Sequence, residues 1–442
     1  MAPTTVRCGQ APSAVIRRTA RVARTAAILV GYAAAAGAGT VDSPFSFHGF
    51  GTLGAVRSDQ DNSDVVSNVF LQPNGAGATH RWSMGVDRKI GGQLDARFSP
   101  RLSAVLQVVS KHRYDNSWTP EVEWANIKYQ LTPDLSVRAG RTVAPTFMLS
   151  DTANVGYANP WIRGPQEIYG MVPITHLDGM DLAWNVDIGS AANTFQANFG
   201  RNSFDAVGGN RITGKNVWIV SNTVEHENLA LRVSYLSVDL SFDFSDLDDL
   251  FNGLSGVGTD LTTAGFPLAG SRANALARRY DVDDKPLEIF SIGARFNPGN
   301  WLLMGEWARQ TDTGMLPKTQ GWYVTGGYHF GKATPYLTVA ELNSKTPEEP
   351  GIPLAGLPPG PLLGAAGALN SGLGAALSAA APSQKSVTLG LRWDVLDSAA
   401  LKFEYQHVRL DDHSSGRFGN LQPGFRPGGD ADLLSIALDF VF

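Results

Sequence analysis

The chain has 442 residues, of which 17% are charged, with 36 basic against 41 acidic residues, 48 glycines, 21 phenylalanines and 10 tryptophans. The acidic balance argues against nucleic-acid binding, and a single cysteine, Cys8, excludes a disulfide framework and a cysteine metal site. Beyond residue 38 no unbroken apolar run of about 20 residues occurs, which leaves a β-barrel open, because barrel strands hide their apolar face in alternation.

Residues 1–38 hold five arginines (Arg7, Arg17, Arg18, Arg21, Arg24) and no acid, then an apolar run from Ala26 to Ala36 and the small-x-small triplet Ala36-Gly37-Ala38. This is the layout of a secretory signal peptide, predicted to be cleaved after export by the general secretory route. Cys8 precedes the apolar run, so it is no lipoprotein acylation site, and cleavage removes it. Loss of the five arginines takes the net charge from −5 to about −10.

From Phe45 onward the chain alternates with period 2 in segments of about ten residues. Turn formers separate them at Ser99-Pro100, Thr132-Pro133-Asp134, Gly189 to Asn193, Glu225 to Asn228, Asn297-Pro298-Gly299, Gly331 to Ala333 and Asp397-Ser398. Longer connections are expected at about 57–79, 114–119, 143–177, 203–213, 241–283, 312–318, 344–384 and 412–428. Seven short turns and eight long loops give about sixteen strands. The expected fold is all-β: a transmembrane antiparallel barrel over 39–442, with short periplasmic turns and long extracellular loops.

The strand faces agree. In 401–407 the apolar face is Leu401, Phe403 and Tyr405, against Lys402, Glu404 and Gln406. Arg81 to Phe98 reads the same way, with Trp82, Met84, Val86, Ile90 and Leu94 on one face; Arg88 breaks it without explanation. Sixteen strands enclose a lumen too wide for side chains to fill, so the charged face must line water. Aromatic residues cluster near strand ends (Phe98, Tyr129, Trp301, Tyr328, Phe330, Trp393), as an interfacial girdle requires.

The chain closes with Ala431 to Phe442, in which Leu434, Ile436, Leu438, Phe440 and Phe442 share one parity. A barrel can end on such a strand because it pairs with the first and leaves no edge. Phe45 to Val56, Leu135 to Arg141, Tyr336 to Val339 and this terminal strand together resemble the general bacterial porins of the sixteen-stranded class. That resemblance implies a passive water-filled channel, a homotrimer, and a third outer loop folded into the lumen, here 143–177 with Asp151, Arg163 and Glu167 as its only charges. It also implies that Phe440 and Phe442 carry the signal read by the barrel-assembly machinery.

The candidate pore wall follows from strand parity. Its basic members are Arg81, Lys89, Arg97, Lys111, Arg113, Lys128, Arg138, Arg232, Arg295, Arg392 and Lys402. Its acidic members are Asp87, Asp95, Glu306, Asp394, Glu404 and Asp439. The wall leans basic while acid gathers in the outer loops, so an anion-leaning constriction behind an acidic mouth is expected. Phe244 to Leu254 has helical spacing and aspartates that could meet a divalent cation, although the pattern is no EF-hand. The Pro/Gly/Ala-rich loop 344–384 should hold a helix near Leu362 to Ala379 and meet lipopolysaccharide or a partner. No nucleophile elbow, HExxH or phosphate loop occurs, so no enzyme, cofactor or metal is expected.

The function expected is an outer-membrane porin passing small solutes and ions. The alternatives are a substrate-selective channel and a surface or adhesion barrel without an open pore.

Overall fold

The computed structural model describes residues 43–442; the signal peptide expected at 1–38 lies outside them. Sixteen antiparallel strands form one closed sheet. In chain order they are β1 (Phe45–Ser58), β2 (Lys89–Arg97), β3 (Leu102–Lys111), β4 (Glu121–Gln130), β5 (Leu135–Val143), β6 (His176–Ile188), β7 (Ala191–Ala206) and β8 (Asn210–His226). The second half comprises β9 (Leu229–Asp243), β10 (Lys285–Phe296), β11 (Trp301–Gln310), β12 (Thr319–Tyr328), β13 (Ala333–Ser344), β14 (Gln384–Leu396), β15 (Ala399–Leu410) and β16 (Asp430–Val441). Each strand pairs with its sequence neighbour. β1 closes the ring, pairing Phe45 to Thr52 with β2 and Phe50 to Ser58 with β16.

The terminal strand is held at its last residue. The Phe442 and Gly49 backbones exchange hydrogen bonds of 2.8 and 2.9 Å, and the Phe442 ring lies over Gly49, where a Cβ would stand 2.1 Å from it. Phe440 covers Gly51 in the same manner. Only glycine admits these rings against β1, so the F-x-F ending and the glycines of β1 form one packed unit.

Side chains on one parity of every strand are exposed and apolar, among them Leu53, Ile90, Leu94, Ile127, Trp218, Ile292, Val324, Leu389, Phe403 and Ile436. This outward apolar band marks the surface that faces lipid. Aromatic pairs sit near the short-turn end of the band, Trp301 against Tyr328 at 5.1 Å and Tyr328 against Phe330 at 4.6 Å.

Two expectations are corrected. The connection at 203–213 is no long loop: β7 and β8 run on for 16 and 17 residues and join through a tight turn at Val207–Gly209, where Gly208 and Gly209 take positive φ. The stretch from Arg81 is not continuous with β2. It belongs to the first outer loop, apart from a two-residue strand at Trp82–Ser83. Arg88 is therefore no flaw in a lipid face; its guanidinium lies 4.1 Å above the Trp118 ring.

The outer loops have structure of their own. Asp64–Val65, Ala76–Gly77 and Phe418–Gly419 build a small sheet that joins the first and eighth loops. The buried Asp64 carboxylate accepts from Gly75 N, Thr79 N and Asn420 Nδ2. The fifth and seventh loops form helices α2 (Ser245–Thr263), α3 (Pro267–Tyr280) and α4 (Pro361–Ala379). Their apolar faces share one core containing Leu254, Leu261, Ala273, Leu276, Leu373 and Leu377. Glu349 fastens it, bonded to Arg272 and, at 2.9 Å, to the Tyr280 hydroxyl.

Candidate functional site: the third loop inside the barrel

Residues 144–175 connect β5 to β6 and fold inward, onto walls built from many strands. The loop holds a one-turn helix, α1 (Gln166–Tyr169). Its apolar side chains explain the inward course. Phe147, Leu149, Trp161, Ile168 and Met171 bury themselves against Leu302, Met304, Tyr323, Tyr336 and Leu342 on the inner face of β11–β13. Those wall residues occupy a parity that would face water in an empty barrel. Their apolar character makes sense because the loop covers them.

Polar anchors fix the loop in three stretches. On the first, the Thr146 carbonyl accepts from Ser291 at 2.9 Å, Arg232 donates to Phe147 O at 2.8 Å and to Asp151 at 3.0 Å, and Glu306 accepts from Met148 N at 2.7 Å. At the tip, Lys89 Nζ reaches Ala153 O at 3.3 Å. On the return, the fully buried Lys402 Nζ donates to the carbonyls of Gly156, Asn159 and Trp161 at 2.8–2.9 Å and pairs with Asp439 at 2.6 Å. Arg392 donates to Tyr157 O and Asn159 O, and Glu404 accepts from Ile162 N at 2.8 Å. Arg163 pairs with Asp87 at 2.5 Å, and Glu167 accepts from Gln384 and Ser386. Arg417 from the eighth loop lies half-buried beside Glu167; desolvation pulls its guanidinium down to about 10, and Glu167 opposes the shift.

The structure thus sorts the residues singled out by sequence. Lys89, Asp95, Arg97, Lys111, Lys128, Arg138, Arg232, Arg295, Glu306, Arg392, Asp394, Lys402, Glu404 and Asp439 lie on the inward parity of their strands. Arg81, Asp87 and Arg113 do not lie on the barrel strands, because the strands are shorter than the alternation suggested. Arg81 is exposed in the first loop near Asp61 (3.9 Å), and Arg113 follows β3 and pairs with Glu121 at 2.8 Å. Asp87 is a buried loop residue holding Arg163. The loop's three charges do not stand together as a charged lip; Asp151, Arg163 and Glu167 are each bound to a different part of the wall or rim.

Among the inward acids that escaped the sequence reading, two lie in the middle of the wall. Asp181 pairs with Arg138 at 2.7 Å, and the alternation of β6 (Leu177, Gly179, Asp181 against Met180, Leu182, Trp184) carried the signal. Glu123 carried none. A bulge opposite Gln107 and Val108 turns Glu123 inward although the strand's parity places it outward. It is buried, 4.0 Å from Lys111 and 3.7 Å from His176.

The inner wall shows a pattern that cross-strand pairing normally avoids. Lys89 stands directly opposite Lys111, and Lys128 opposite Arg138. Like charges in register are destabilising. A third such pair, Arg392 opposite Lys402, lies on β14 and β15 and donates to loop carbonyls.

No family model matches the sequence, and among well-characterised proteins no relative is found by sequence. Solved structures do match. The anion-selective porin from Comamonas acidovorans superposes with a TM-score of 0.50 at 13% identity, over 90% of this chain and 99% of that one. OmpF of Salmonella typhi, solved in complex with daunomycin, gives a TM-score of 0.52 at 12% identity, over 90% and 97%. The fold is that of the porins. With sixteen strands, a closed ring and near-complete coverage of both chains, the porin fold accounts for the whole of residues 43–442.

Proposed function

We propose that this chain is an outer-membrane porin, a water-filled channel that passively admits small hydrophilic solutes and ions and leans towards anions. The observation that carries the reading is the pair of like-charge ladders, Lys89–Lys111 and Lys128–Arg138, on the inner face of β2–β5. A folded sheet bears that electrostatic cost where the charges act on something passing by. Glu123 and Asp181 temper the arc without cancelling it. Export by the N-terminal segment, delivery to the assembly machinery through Phe440 and Phe442, and association as a homotrimer surrounded by lipopolysaccharide complete the proposal. The outward apolar band supports membrane residence.

A second reading, a barrel without an open pore, is favoured by one observation: the third loop touches walls from β9 round to β2. Single-channel recording of the refolded mature protein under a salt gradient separates the two. Conductance steps in groups of three with an anion-side reversal potential fit the channel. A cation-side potential sinks the anion preference, and silence from a folded barrel selects the closed reading.

A further inference from the structure

Two bonded routes run from the outer loops to the third loop, and both end on one short stretch of it. Each begins at the small sheet of Asp64–Val65, Ala76–Gly77 and Phe418–Gly419. The first descends the eighth loop. Arg417, next to Phe418, donates its backbone N–H to Gln384 Oε1 at 2.8 Å, and Gln384 Nε2 donates to Glu167 at 2.8 Å. The second descends the first loop. Ala76 packs with Val56 and Val86, and Gln72 accepts from Ser67 N at 2.7 Å while donating to Val86 O at 3.1 Å. The next residue, Asp87, pairs with Arg163 at 2.5 Å. Arg163 and Glu167 bracket the entry to α1. The first stretch of the third loop is held differently, by Ser291, Arg232 and Glu306 of β9–β11.

The sheet has two residues per strand, too few to hold by its ladder alone. One buried group closes it. The Asp64 carboxylate, with no exposed surface, accepts from Gly75 N at 3.2 Å, Thr79 N at 2.9 Å and Asn420 Nδ2 at 2.7 Å. Asn420 is itself exposed, so the bond that pins the eighth loop to the first can be reached from solvent. The lower joint is incompletely paired. Glu167 Oε2 and Arg417 Nε are both buried without a hydrogen-bond partner, although their charges interact. Buried polar atoms left unpaired are costly, so releasing the eighth loop, which lets water or each other satisfy them, recovers part of what the open sheet loses. We propose that the sheet of the first and eighth loops is a latch on the third loop. Closed, it holds residues 163–170 against the wall; open, it frees that stretch while 146–151 stays fixed. The latch is a property of the folded barrel and does not depend on conduction.

The test is hydrogen exchange read by mass spectrometry on the protein folded in detergent. Asn420→Asp sets a second carboxylate against Asp64 and should open the sheet without touching the barrel, so exchange at 62–80 and 416–422 should quicken. The amides of Ile168, Tyr169, Gly170 and Met171, bonded within the α1 turn at 3.0–3.1 Å, should then exchange about tenfold faster, while those of Met148, Ser150 and Thr152 keep the wild-type rate. A sheet that opens with 168–171 unchanged overturns the latch, and so does an equal rise at 148–152, which would mean general loosening. Asp64→Ala is the second opener; a sheet that stays protected in both variants also overturns it. Severing both routes with Gln384→Leu and Asp87→Asn should quicken 168–171 without opening the sheet, and Asn420→Asp added to that pair should quicken it no further. An additive rise overturns the relay.

Discussion

Lys402→Met tests whether buried charge holds the third loop. The substitution leaves an unbranched side chain one atom shorter and removes the ammonium. In the wild type that group meets three loop carbonyls at 2.8–2.9 Å and Asp439 at 2.6 Å, with no exposed surface on Lys402 and 1% side-chain exposure on Asp439. Removing one member of such a pair strands the other, which costs about 3–5 kcal/mol. Asp439 keeps its bond from Thr52, so the lower end of that range is expected. The apolar contacts of Trp161 and Ile168 remain, so the barrel should fold while the return stretch of the loop loosens. Urea titration of folded protein in detergent should show the loss, and open-channel current should rise and become noisier. Adding Asp439→Asn removes the stranded charge and should recover about half of the lost stability. A single variant within about 0.5 kcal/mol of wild type, the range of neutral surface changes, would refute the anchoring argument, as would a double variant no better than the single.

Four further outcomes are expected. Gly49→Val puts a side chain where the Phe442 ring lies, so it should destabilise by about 1–3 kcal/mol, read by urea titration. Deleting Phe442 removes the ring and the paired backbone, and the fraction recovered in the outer membrane should fall. Lys89→Gln with Lys128→Gln should move the reversal potential towards cations; an unchanged value removes the ladders from the selectivity argument. The helical cap should respond to acid. Burial pushes the Glu349 carboxyl up, but the Gly351 amide, the Tyr280 hydroxyl and Arg272 outweigh it and hold it below its ordinary value. A lowered folded value gives stability that is complete above the usual carboxylate range and is lost as pH falls through the folded value. Cleavage in 344–384 by an acid-active protease should therefore quicken below about pH 4, and Arg272→Ala should cleave readily at neutral pH too.

Much of the barrel was legible because alternation and turn chemistry are local. Every expected connection falls between two strands, but two had the wrong length: 203–213 is a tight turn, and the first outer loop, expected at 57–79, runs on to β2 at Lys89. The helices at 245–263 and 361–379 were visible in the spacing of Phe244, Leu247, Leu250 and Leu254 and in the uncharged run after Glu349. Three features were not legible for physical reasons. A bulge shifts parity without a residue signature, so Glu123 was missed. Strand ends depend on pairing with neighbours, so Arg81 and Asp87 were placed on a strand they precede and Arg113 on one it follows. The loop's path depends on contacts far apart in sequence; Trp161 reaches Thr338, and Ile162 reaches Glu404. In β11 the inward Leu302, Met304 and Ala308 are apolar because the loop covers them.

The three like-charge ladders show how one wall chemistry serves two purposes. Arg392 and Lys402 face a loop whose backbone carbonyls accept their protons, and there repulsion is relieved by Asp439, Asp394 and the carbonyl dipoles. Lys89–Lys111 and Lys128–Arg138 have fewer such partners: one 3.3 Å contact with the loop tip, and the acids Glu123 and Asp181. If the inner charges existed only to anchor the loop, these two pairs would be saturated like the third. On the channel reading, their incomplete saturation is turned towards passing solutes. Neutralising Arg392 should therefore alter loop position and current noise, whereas neutralising Lys89 and Lys128 should alter selectivity at nearly constant noise. That division, measured on the same bilayer, decides whether the basic arc acts on passing anions or only on the loop.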